Sequence, residues 1–584
     1  MNNLHRIGRS ALLGLAATLS LSSLAAAQAG EGGQPPSLEL ALAGQGLATV
    51  APTEILPPID VPALLVEDQL AADAALAGQP SPFRFGWGHE VEHGLLNSGV
   101  WEDLPGGERL WRLRLESPGA WSINLIFDRY VLPEGARLYV HNDAGRVLGA
   151  FTSSLNQPHG MFATEPLAGD AVTLEYVEPS DGPMGELRLK QVVHAYRDIL
   201  GQAEAGAQSL KRTPGSTKSG SCNINVNCPL GASWQDQKRS SARLLMGGVL
   251  CSGALINNTA NDSRQFFLTA NHCYSGNPAS WVFQFNYESP TCNGTTGSAQ
   301  SVTGSALKTK SPSADFCLVE ITQAIPASYD VYFSGWSRAT TPSTTSTGIH
   351  HPGGDIKKIC QDTDNVVASS FGGAPCWRVI SWEYGVTEGG SSGSPLYDQN
   401  KRIIGQLYGG QASCSYLFND YYGRFDVSWG NGLANFLDPL GTNQVTLDGI
   451  FDGQGGINPV TYCTPKTTSA GFQPSIGWAG EPSLATGTFT IDCIGGLSGK
   501  GVILFSGTAQ NSSPFYGGTL CVGGTVTREP LKLFDSLGYV SYTLPISAAW
   551  VGTKRYYQFW GRDPQHPDGT GVLLSNGLEV PYRL

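Results

Sequence analysis

A run of small residues, GGSSGSP at 389–395, holds three serines that could act as nucleophiles. Consecutive small residues let the backbone bend sharply and aim several N–H groups at one point. Those groups would stabilise the oxyanion that forms when a serine attacks a carbonyl carbon. The same composition is also typical of an ordinary glycine–serine loop. The segment therefore indicates acyl-transfer chemistry only if a base and a carboxylate accompany it.

Candidate bases are few, because the stretch 221–440 contains only His272, His350 and His351. His272 lies in RQFFLTANHCY, directly after an apolar run and directly before Cys273. A general base must be held rigidly with one imidazole nitrogen free, and a strand end pinned by a disulfide at Cys273 would provide that. His350 and His351 precede PGGD, which is typical of a turn, so we expect His272 to be the base.

The third group must be a carboxylate that orients the histidine. SADFCLVEI, at 313–321, places Asp315 at the head of an apolar strand. A buried aspartate is costly unless it is paired, which favours a functional partner. Asp262 and Asp355 are competitors, but both lie in polar turn sequences where we expect exposure. The order along the chain, histidine then aspartate then serine, is that of the two-barrel serine proteases.

The chain that must position these groups has 584 residues, enough for three or four domains. Its composition is 41% hydrophobic and 14% charged with 74 glycines, as in a turn-rich and mostly β protein. The formal net charge is −12, which gives no basic face for nucleic acid. We therefore predict an all-β protein that does not bind nucleic acid.

Changes in composition along the chain indicate several segments. Alternating patterns such as RLWRLRLES predict a β-sandwich over 83–200, and short strands between Gly/Pro turns predict another over 459–584. Cysteines are absent before Cys222, and nine of the twelve lie from Cys222 to Cys414. The predicted segments are a signal peptide at 1–29, a poorly ordered linker in the pro-region at 30–82, a pro-region sandwich at 83–200, an exposed processing linker at 201–218, the cysteine-rich domain at 219–440, a linker at 441–458 and a C-terminal sandwich of unknown role at 459–584.

The N-terminus has the pattern of a secretory signal. Arg6 and Arg9 precede the apolar run ALLGLAATLSLSSLAAA, and small residues offer cleavage after Ala27 or Ala29. A membrane anchor is the alternative, but the apolar run is short for a span. We therefore predict a secreted, extracellular protein with no membrane span, in which clustered cysteines form disulfides.

The residues HEVEH, at 89–93, match the zinc-protease pattern H-E-x-x-H. That pattern holds zinc only on a helix, where both histidines share a face. Here GWG precedes it, GLLNSG follows it, and the residues alternate as in a strand. We therefore predict no metal site, and the expected chemistry needs no cofactor.

Taken together, LTANHC, SADFCLVEI and GGSSGSP resemble the trypsin/chymotrypsin-like serine peptidases, and specifically the bacterial lysyl endopeptidases. GSCNINVNCP, GIHHPGGDIKK and NDYYGRFDVSW extend the resemblance over essentially all of 219–440. It implies a trypsin-like double β-barrel catalytic domain. It also implies that the N-terminal sandwich is a pro-region, which binds the catalytic domain before it is removed.

The resemblance implies catalytic roles for a few residues. Ser392 would be the nucleophile, His272 the general base and Asp315 its orienting carboxylate. The backbone N–H groups of Gly390 and Ser392 would form the oxyanion hole. Ser391 stands where animal relatives have an aspartate that pairs with the new N-terminus, so that ion pair cannot form here.

Substrate binding is implied by further matches. Asp420 would lie at the base of the S1 pocket and select a cationic P1 side chain. Gly409 and Gly410 would bind the substrate backbone as an extended strand. Tyr408 and Phe371 take the positions of an aromatic–histidine stack, from which the histidine is missing. The family implies lysine at P1, whereas pocket depth, which sequence does not show, decides between lysine and arginine.

Disulfide pairing also follows from the resemblance. It suggests Cys222–Cys414, Cys228–Cys292 and Cys251–Cys273. A fourth bridge, Cys360–Cys376, would close a short loop and leave Cys317 as a buried free thiol, unless Cys317 pairs elsewhere. The remaining set, Cys463, Cys493 and Cys521, is odd in number, so one of its members is unpaired or bridges elsewhere.

These features predict a secreted serine endopeptidase, made as a zymogen, that hydrolyses polypeptides after lysine through an acyl-enzyme. Cleavage after Lys218, or after Lys211, would release the catalytic domain. One alternative is the same chemistry with trypsin-like preference for lysine and arginine. The other is a surface-binding protein with a degenerate protease domain, against which the intact histidine, aspartate and serine argue.

Overall fold

A computed structural model describes residues 28–201, 219–451, 459–480, 482–551 and 553–582, and within them the protein is built mainly of β-strands. The predicted all-β class is thereby confirmed. The apolar run of the signal peptide and the cleavage positions Lys211 and Lys218 lie outside the described residues.

The N-terminal region consists of two helices and twelve strands among the residues described. The helices are α1 (Pro36–Leu42) and α2 (Val61–Leu76). The strands are β1 (Thr53–Ile55), β2 (Phe83–Arg84), β3 (Gly86–Gly94), β4 (Val100–Asp103), β5 (Arg109–Glu116), β6 (Ser122–Val131), β7 (Arg137–Asn142), β8 (Val147–Phe151), β9 (Phe162–Ala163), β10 (Leu167–Ala168), β11 (Ala171–Glu178) and β12 (Glu186–Ala195).

Two sheets of this region form the predicted sandwich. One has the order β1-β5-β11-β7-β8 with β4 on β5, and the other has the order β10-β6-β12-β3 with β9 on β6. Alternate residues of both sheets, such as Leu113, Phe127 and Leu174, meet in a common core. The sequence HEVEH lies on β3, so its histidines do not share a helix face.

The segment 30–82 is not the poorly ordered linker that its composition predicts. β1 pairs in parallel with β5, and α2 is a sixteen-residue helix. Asp60 caps α2 by accepting a hydrogen bond from the Ala63 N–H at 3.1 Å. The many alanines of α2 are strong helix formers, which explains why this apolar, alanine-rich stretch is ordered.

The cysteine-rich domain holds strands β13 to β31 and three short helices. The helices are α3 (Gln237–Ser240), α4 (Phe425–Ser428) and α5 (Ala434–Leu437). The strands are β13 (Ile224–Asn225), β14 (Ser241–Met246), β15 (Val249–Leu255), β16 (Phe266–Thr269), β17 (Val282–Phe285), β18 (Gln300–Thr303), β19 (Ser305–Ser311), β20 (Phe316–Ile321), β21 (Tyr332–Phe333), β22 (Trp336–Ser337), β23 (Ser346–His350), β24 (Lys358–Asp362), β25 (Val367–Phe371), β26 (Ala374–Ser381), β27 (Pro395–Asp398), β28 (Ile403–Gly410), β29 (Phe418–Arg424), β30 (Thr446–Leu447) and β31 (Ile450–Phe451).

Two mainly antiparallel sheets account for most of this domain, in agreement with the predicted double β-barrel. The first runs β18-β17-β14-β15-β16-β20-β19, and the second runs β13-β24-β23-β27-β28-β29-β26-β25. Each sheet has its own apolar core, and a third cluster around Trp336 and Ile349 contains residues of both. The loops where the two sheets meet can therefore be held rigidly by packed strands on both sides.

The predicted linker at 441–458 is partly wrong. β30 pairs with β22 and β31 pairs with β21, so residues 446–451 belong to the cysteine-rich domain. Ile450 is buried in the first core, which a linker residue would not be. Residues 452–458 lie outside the described ranges.

The C-terminal domain is a second set of antiparallel strands around its own core. A six-stranded sheet follows the order β32-β42-β41-β35-β38 with β39 on β35, and a three-stranded sheet follows β33-β34-β40. The strands are β32 (Val460–Tyr462), β33 (Ser475–Ala479), β34 (Thr488–Ile494), β35 (Gly501–Gly507), β36 (Ala509–Phe515), β37 (Gly518–Gly523), β38 (Thr527–Arg528), β39 (Lys532–Leu533), β40 (Val540–Pro545), β41 (Lys554–Arg562) and β42 (Val572–Pro581).

Four disulfides are formed among the described cysteines. Three are those suggested by the resemblance, namely Cys222–Cys414, Cys228–Cys292 and Cys251–Cys273, and the fourth is Cys463–Cys521. Cys493 and Cys317 are free and buried.

The predicted bridge Cys360–Cys376 is wrong, because both thiols are free and buried. Cys360 lies on β24 and Cys376 on β26, and four strands of the sheet separate them. The two residues are close in sequence, but they pack in different apolar clusters. A disulfide requires Cα atoms within about 7 Å, a condition set by the fold and not by the sequence separation.

None of the helices in the described part of the chain is long and apolar enough to cross a membrane.

Candidate active site

His272 and Asp315 form a close pair between the two sheets. The His272 Nδ1 and the Asp315 Oδ2 are 2.8 Å apart, and the His272 backbone N–H donates to Asp315 Oδ1 at 2.9 Å. The side chain of His272 is 8% exposed and that of Asp315 is 2% exposed. Because Nδ1 faces the carboxylate, Nε2 is the nitrogen left to exchange a proton with a substrate or a nucleophile.

Two neighbouring strand ends bring this pair together. β16 pairs with β20 with Thr269 opposite Cys317, so the chain leaving β16 meets the chain entering β20. The Cys251–Cys273 disulfide fixes the residue after His272 to β15. Asp315 has a φ of 47°, a left-handed conformation that turns its carboxylate towards the histidine.

Ser392 lies on the turn before β27 and is partly exposed, while its neighbours Ser391 and Ser394 are fully buried. Its carbonyl oxygen accepts a hydrogen bond from the Ser252 N–H at 2.8 Å, and the Gly393 N–H donates to Leu407 O at 2.8 Å. No hydrogen bond joins Ser392 to His272 among the described residues. Such bonds are often long in free enzymes and tighten when substrate binds.

The N–H groups of Gly390 and Ser392 have no hydrogen-bond partner among the residues that the structure describes. The Gly390 carbonyl is turned the other way and accepts from Ser252 Oγ at 2.9 Å. Gly390 has a φ of 95°, and a Cβ there would lie 2.9 Å from the His351 carbonyl oxygen, so only glycine fits. Two unpaired N–H donors beside a partly exposed serine can stabilise an oxyanion.

A second serine–histidine pair lies beneath this loop and is inaccessible. His350 Nδ1 and Ser391 Oγ are 2.7 Å apart, and neither side chain is exposed. Burial lowers the pKa of His350 to about 3, so the imidazole is neutral. A substrate cannot reach this pair, which leaves His272 and Ser392 as the accessible combination.

The prediction of a turn at His350 and His351 is wrong in part. His350 is the last residue of β23, and both histidines are fully buried. Burial also holds the pKa of His351 well below its usual value, and its Nδ1 lies 3.0 Å from Asp355 O. The turn follows at Pro352–Gly354. The buried position depends on packing between the two sheets, which the local sequence does not reveal.

Of the two competing aspartates, Asp262 is exposed as expected, but Asp355 is buried. Asp355 accepts a hydrogen bond from Ser219 Oγ at 2.7 Å and lies 3.3 Å from Lys358 Nζ. It therefore holds the start of the catalytic domain and takes no part in orienting His272.

Asp420 lies at the base of a cleft of about 880 Å³ that Ser392, Gly409 and Gly410 also line. Its side chain is 1% exposed, and Oδ2 accepts hydrogen bonds from Trp382 Nε1 and Thr387 Oγ1, each at 2.7 Å. Burial raises the pKa of Asp420 to about 6. Sequence reasoning missed Trp382 and Thr387, because their role depends on how the strands fold around Asp420.

Two glycines along the cleft lie where a larger residue would not fit. A side chain at Gly410 would collide with the carboxylate of Asp420, and Gly409 has a φ of 157°. Tyr408 stacks on His272 with ring centroids 5.9 Å apart and 24° between the planes, and Phe371 packs edge-on against Tyr408 at 5.4 Å. Tyr408 thus contacts the imidazole of His272 on one side and Phe371 on the other.

Residues of the N-terminal region line the same cleft. Pro80, Ser81, Pro82 and Phe83 border it together with Ser392. β2 pairs antiparallel with β15, with Phe83 opposite Leu250. At one end Pro80 lies over Gly409, and at the other the Phe83 ring packs on Gly389.

One carboxylate anchors this segment. Asp68, on α2, accepts hydrogen bonds from Arg84 Nε, from Tyr196 Oη and from the Arg197 guanidinium, each at 2.7 Å. Arg84 also donates to Leu64 O at 2.9 Å, so its guanidinium is held by α2. The helix, the strand β2 and the end of the sandwich are thereby fixed to one another over the cleft.

Known proteins match a large part of this chain. Residues 216–423 match the sequence profile of the family described as lysyl endopeptidase, C-terminal domain. The lysyl endopeptidase of Pseudomonas aeruginosa is 29% identical over 395 residues, an alignment that covers 61% of this chain and 82% of that protein.

The solved structures that match this chain are more distant in sequence. The MamO protease domain of Magnetospirillum magneticum is 14% identical and covers 34% of this chain and 97% of its own, with a TM-score of 0.25. The active form of the Rv3671c protease of M. tuberculosis is 15% identical, and the match covers 36% of this chain and 84% of that protein's chain, with a TM-score of 0.24. Scores this low carry no inference. With the sequence profile and the Pseudomonas relative, the chain is a serine endopeptidase that resembles the bacterial lysyl endopeptidases.

Proposed function

We propose that this protein is a secreted endopeptidase that cleaves peptide bonds on the carboxyl side of lysine, with Ser392, His272 and Asp315 as its catalytic residues. The observation that carries the proposal is the buried carboxylate of Asp420 at the base of the cleft that also holds Ser392. A buried carboxylate without a cationic side chain beside it favours a cationic ligand.

The proposed reaction assigns each step to one of these groups. Ser392 Oγ attacks the carbonyl carbon and transfers its proton to His272 Nε2, while Asp315 stabilises the imidazolium through Nδ1. The N–H groups of Gly390 and Ser392 bind the oxyanion. His272 then protonates the leaving amine, and an acyl-enzyme forms on Ser392. Water, activated by His272, hydrolyses the acyl-enzyme and restores the serine.

Preference for lysine over arginine follows from the hydrogen bonds of Asp420. Oδ2 already accepts two hydrogen bonds, from Trp382 and Thr387, which occupy its two lone pairs. The backbone N–H of Ala412 also interacts with this carboxylate, so little acceptor capacity is left for a substrate. An ammonium group binds well to one oxygen, whereas a guanidinium binds best to both oxygens of a carboxylate at once.

Matched peptide substrates that differ only in lysine or arginine at P1 test this preference. We expect kcat/KM to be at least tenfold higher for lysine, and Asp420→Asn to lower the value for lysine by about 10²-fold or more through loss of the ion pair. Equal values for the two substrates would favour the trypsin-like alternative, in which the chemistry is unchanged.

The rival class, a binding protein with a degenerate protease domain, is tested separately. A fluorophosphonate reacts with an activated serine whatever the P1 preference. We expect the mature protein to be labelled at Ser392 and His272→Ala to remain unlabelled. Absence of label on correctly processed wild-type protein would favour the binding protein.

We also propose that the N-terminal region keeps the protease latent until it is removed. The segment GQPSPFR, at 78–84, passes the positions where an extended substrate would lie, from Gly409 to β15. It contains no lysine, and its only cationic side chain, Arg84, is bound to Asp68. Two prolines near Ser392 lack the N–H groups that a substrate strand would donate.

Activation would follow from cleavage after Lys218, a bond suited to the lysine specificity. The new amino terminus at Ser219 would lie beside Asp355, which already accepts from Ser219 Oγ. The Gly220 N–H donates to Glu388 Oε2 at 3.0 Å, next to the loop that carries Ser392. N-terminal sequencing of the mature protein, made from wild type and from Ser392→Ala, tests whether the protein processes itself.

A further inference from the structure

Three acidic side chains meet beside the second sheet, and none of them lines the cleft that holds Ser392. Asp362, Asp364 and Glu383 each offer a carboxylate oxygen, and these oxygens all lie within 4.8 Å of one another. A calcium ion binds oxygens at 2.3–2.6 Å, so ligands on opposite sides of the ion are separated by about 4.8 Å. The spacing of the three oxygens therefore fits one shared cation.

Backbone pairing brings these residues together although 21 positions separate the first from the last. The Gln361 N–H donates to Tyr384 O at 2.8 Å, and the Tyr384 N–H donates to Gln361 O at 3.2 Å. Asp362 follows Gln361 and Glu383 precedes Tyr384. This antiparallel pairing therefore holds Asp362 and Glu383 side by side. Asp364 joins them because its N–H donates to Asp362 Oδ1 at 2.8 Å across the turn.

The second observation is a buried oxygen without a partner. Asp362 is 1% exposed, and its Oδ2 has no hydrogen-bond partner in the part of the chain that the structure describes. Ser346 lies directly opposite Asp362 on β23, so its side chain leaves the sheet on the same face. Its buried Oγ also lacks a partner among the described residues. Buried polar groups are normally satisfied, so each such oxygen requires an explanation.

The charge of the cluster is also unbalanced. No lysine, arginine or histidine within the described ranges forms an ion pair with any of the three carboxylates. A bound cation would supply the missing positive charge and a partner for Oδ2.

We propose that Asp362, Asp364 and Glu383 form a binding site for a divalent cation with the ligand chemistry of calcium. All the donors are hard oxygens, which excludes a preference for zinc or copper. Asp364 and Glu383 are exposed and can take bidentate or water-mediated positions, which suits the flexible coordination of calcium better than the strict octahedron of magnesium.

Cation binding would join the end of β24 to the segment that forms one wall of the cleft. Glu383 follows Trp382, whose indole N–H donates to Asp420 at 2.7 Å. A cation held by Glu383 and Asp362 would therefore stabilise the folded domain close to Trp382. The binding itself does not depend on the proposed lysine specificity and can be measured in an inactive protein.

The test uses the full chain with Ser392→Ala, which prevents self-digestion during the measurement. After removal of bound metal with a chelator, calcium chloride is titrated in by isothermal calorimetry, and thermal unfolding is followed with and without 10 mM calcium. We expect one site with a Kd of about 10⁻⁴–10⁻³ M, as in other extracellular sites. At that affinity 10 mM calcium shifts the unfolding equilibrium roughly 10- to 100-fold towards the folded state.

Matched variants assign the site. Glu383→Gln and Asp362→Asn should each weaken calcium binding at least tenfold, whereas Asp426→Asn should leave it unchanged. Asp426 is a carboxylate of the same domain, paired with Arg424 and outside the cluster. Glu383 is exposed, so the Glu383→Gln protein should fold. Its calcium affinity tests the site even if the protein with the buried Asp362→Asn change does not fold. Absence of saturable binding at 10 mM calcium, or undiminished binding in Glu383→Gln, would overturn the proposal.

Discussion

At the scale of single residues, the loop that carries Ser392 is held by neutral hydrogen bonds. Ser391 Oγ lies 2.7 Å from His350 Nδ1 and accepts from the Glu388 N–H at 3.2 Å. Both partners are buried, and burial keeps His350 uncharged. The geometry of the oxyanion N–H groups therefore depends on one serine–histidine contact and not on an ion pair with a charged amino terminus.

Replacing Ser391 with alanine should damage this loop. The change leaves the buried His350 Nδ1 and the Glu388 N–H unpaired, at a cost of about 1–3 kcal/mol in unfolding free energy. We expect kcat to fall by roughly 10- to 100-fold with little change in KM, because the oxyanion N–H groups shift. Chemical denaturation and steady-state kinetics measure the two effects.

Ser394→Ala is the control, since Ser394 is a buried serine of the same loop that does not contact His350. Its kcat should stay within a factor of about two to three of wild type, a change of under 1 kcal/mol. If Ser391→Ala behaved like this control, the serine–histidine contact would have no part in positioning the loop.

The raised pKa of Asp420, about 6, gives substrate binding a pH dependence. Above pH 6 the carboxylate is ionised and attracts a lysine side chain. As the pH falls below 6 it becomes protonated, and affinity should decrease by up to about tenfold per pH unit. Mature Ser392→Ala protein, processed in trans and mixed with a fluorescent lysine peptide, separates this effect from the titration of the catalytic histidine.

The same peptide with norleucine in place of lysine should bind weakly and show no pH dependence. If the affinity for the lysine peptide stayed constant from pH 5 to 8, that result would contradict a raised pKa of Asp420 in the free cleft.

At the scale of elements, α2 and β2 are the parts of the N-terminal region that reach the catalytic cleft. Asp68 joins them, because it binds Arg84 of β2 and also Tyr196 and Arg197 at the end of the sandwich. The latency proposed for this region depends on that carboxylate more than on any direct contact with Ser392.

Asp68→Asn should therefore loosen the segment over the cleft. We expect unprocessed precursor carrying this change to react several-fold faster with a fluorophosphonate than wild-type precursor. Asp73→Asn is the control, because Asp73 is exposed on the same helix and bonds only Gln69 there. Equal labelling rates for both variants and wild type would show that Asp68 does not hold the segment in place.

Elements with strong local patterns were predictable from the sequence. Strands such as β5 and β6 follow from alternating apolar residues, and the segments around His272, Asp315 and Ser392 follow from short motifs. α2 was not predicted, because alanine, proline and glycine together suggest a linker, although Asp60 and Pro62 are a helix-start signal.

Features that depend on distant parts of the chain could not be predicted. Asp355 and His350 have polar or turn-like neighbours in sequence, but packing between two sheets buries them. Cys360 and Cys376 are near in sequence and far apart in sheet order. The catalytic roles of His272, Asp315 and Ser392 remain proposals, which the structure makes testable by bringing the first two into contact.

At the scale of the whole molecule, disulfides are distributed unevenly. The N-terminal region has no cysteine, the catalytic domain has three bridges and the C-terminal domain has one. Cys317, Cys360, Cys376 and Cys493 are buried thiols. Burial raises the pKa of Cys317 and Cys376 to about 12, so these thiols are protonated and unreactive at neutral pH.

We therefore expect no reaction of the native protein with a thiol reagent. Denaturation without reductant should release four reactive thiols, and mass spectrometry should place the label on Cys317, Cys360, Cys376 and Cys493. Two labelled thiols, with Cys360 and Cys376 found in one cross-linked peptide, would contradict the pairing in the structure and restore the bridge first predicted.

The most direct test of the central claim is digestion of a denatured proteome by the purified mature protein, with cleavage sites read by mass spectrometry and Ser392→Ala as control. We predict cleavage almost entirely after lysine, and none with the control. Cleavage after both lysine and arginine would contradict the specificity assigned to Asp420. No cleavage by correctly processed wild-type protein would contradict the catalytic roles of Ser392, His272 and Asp315.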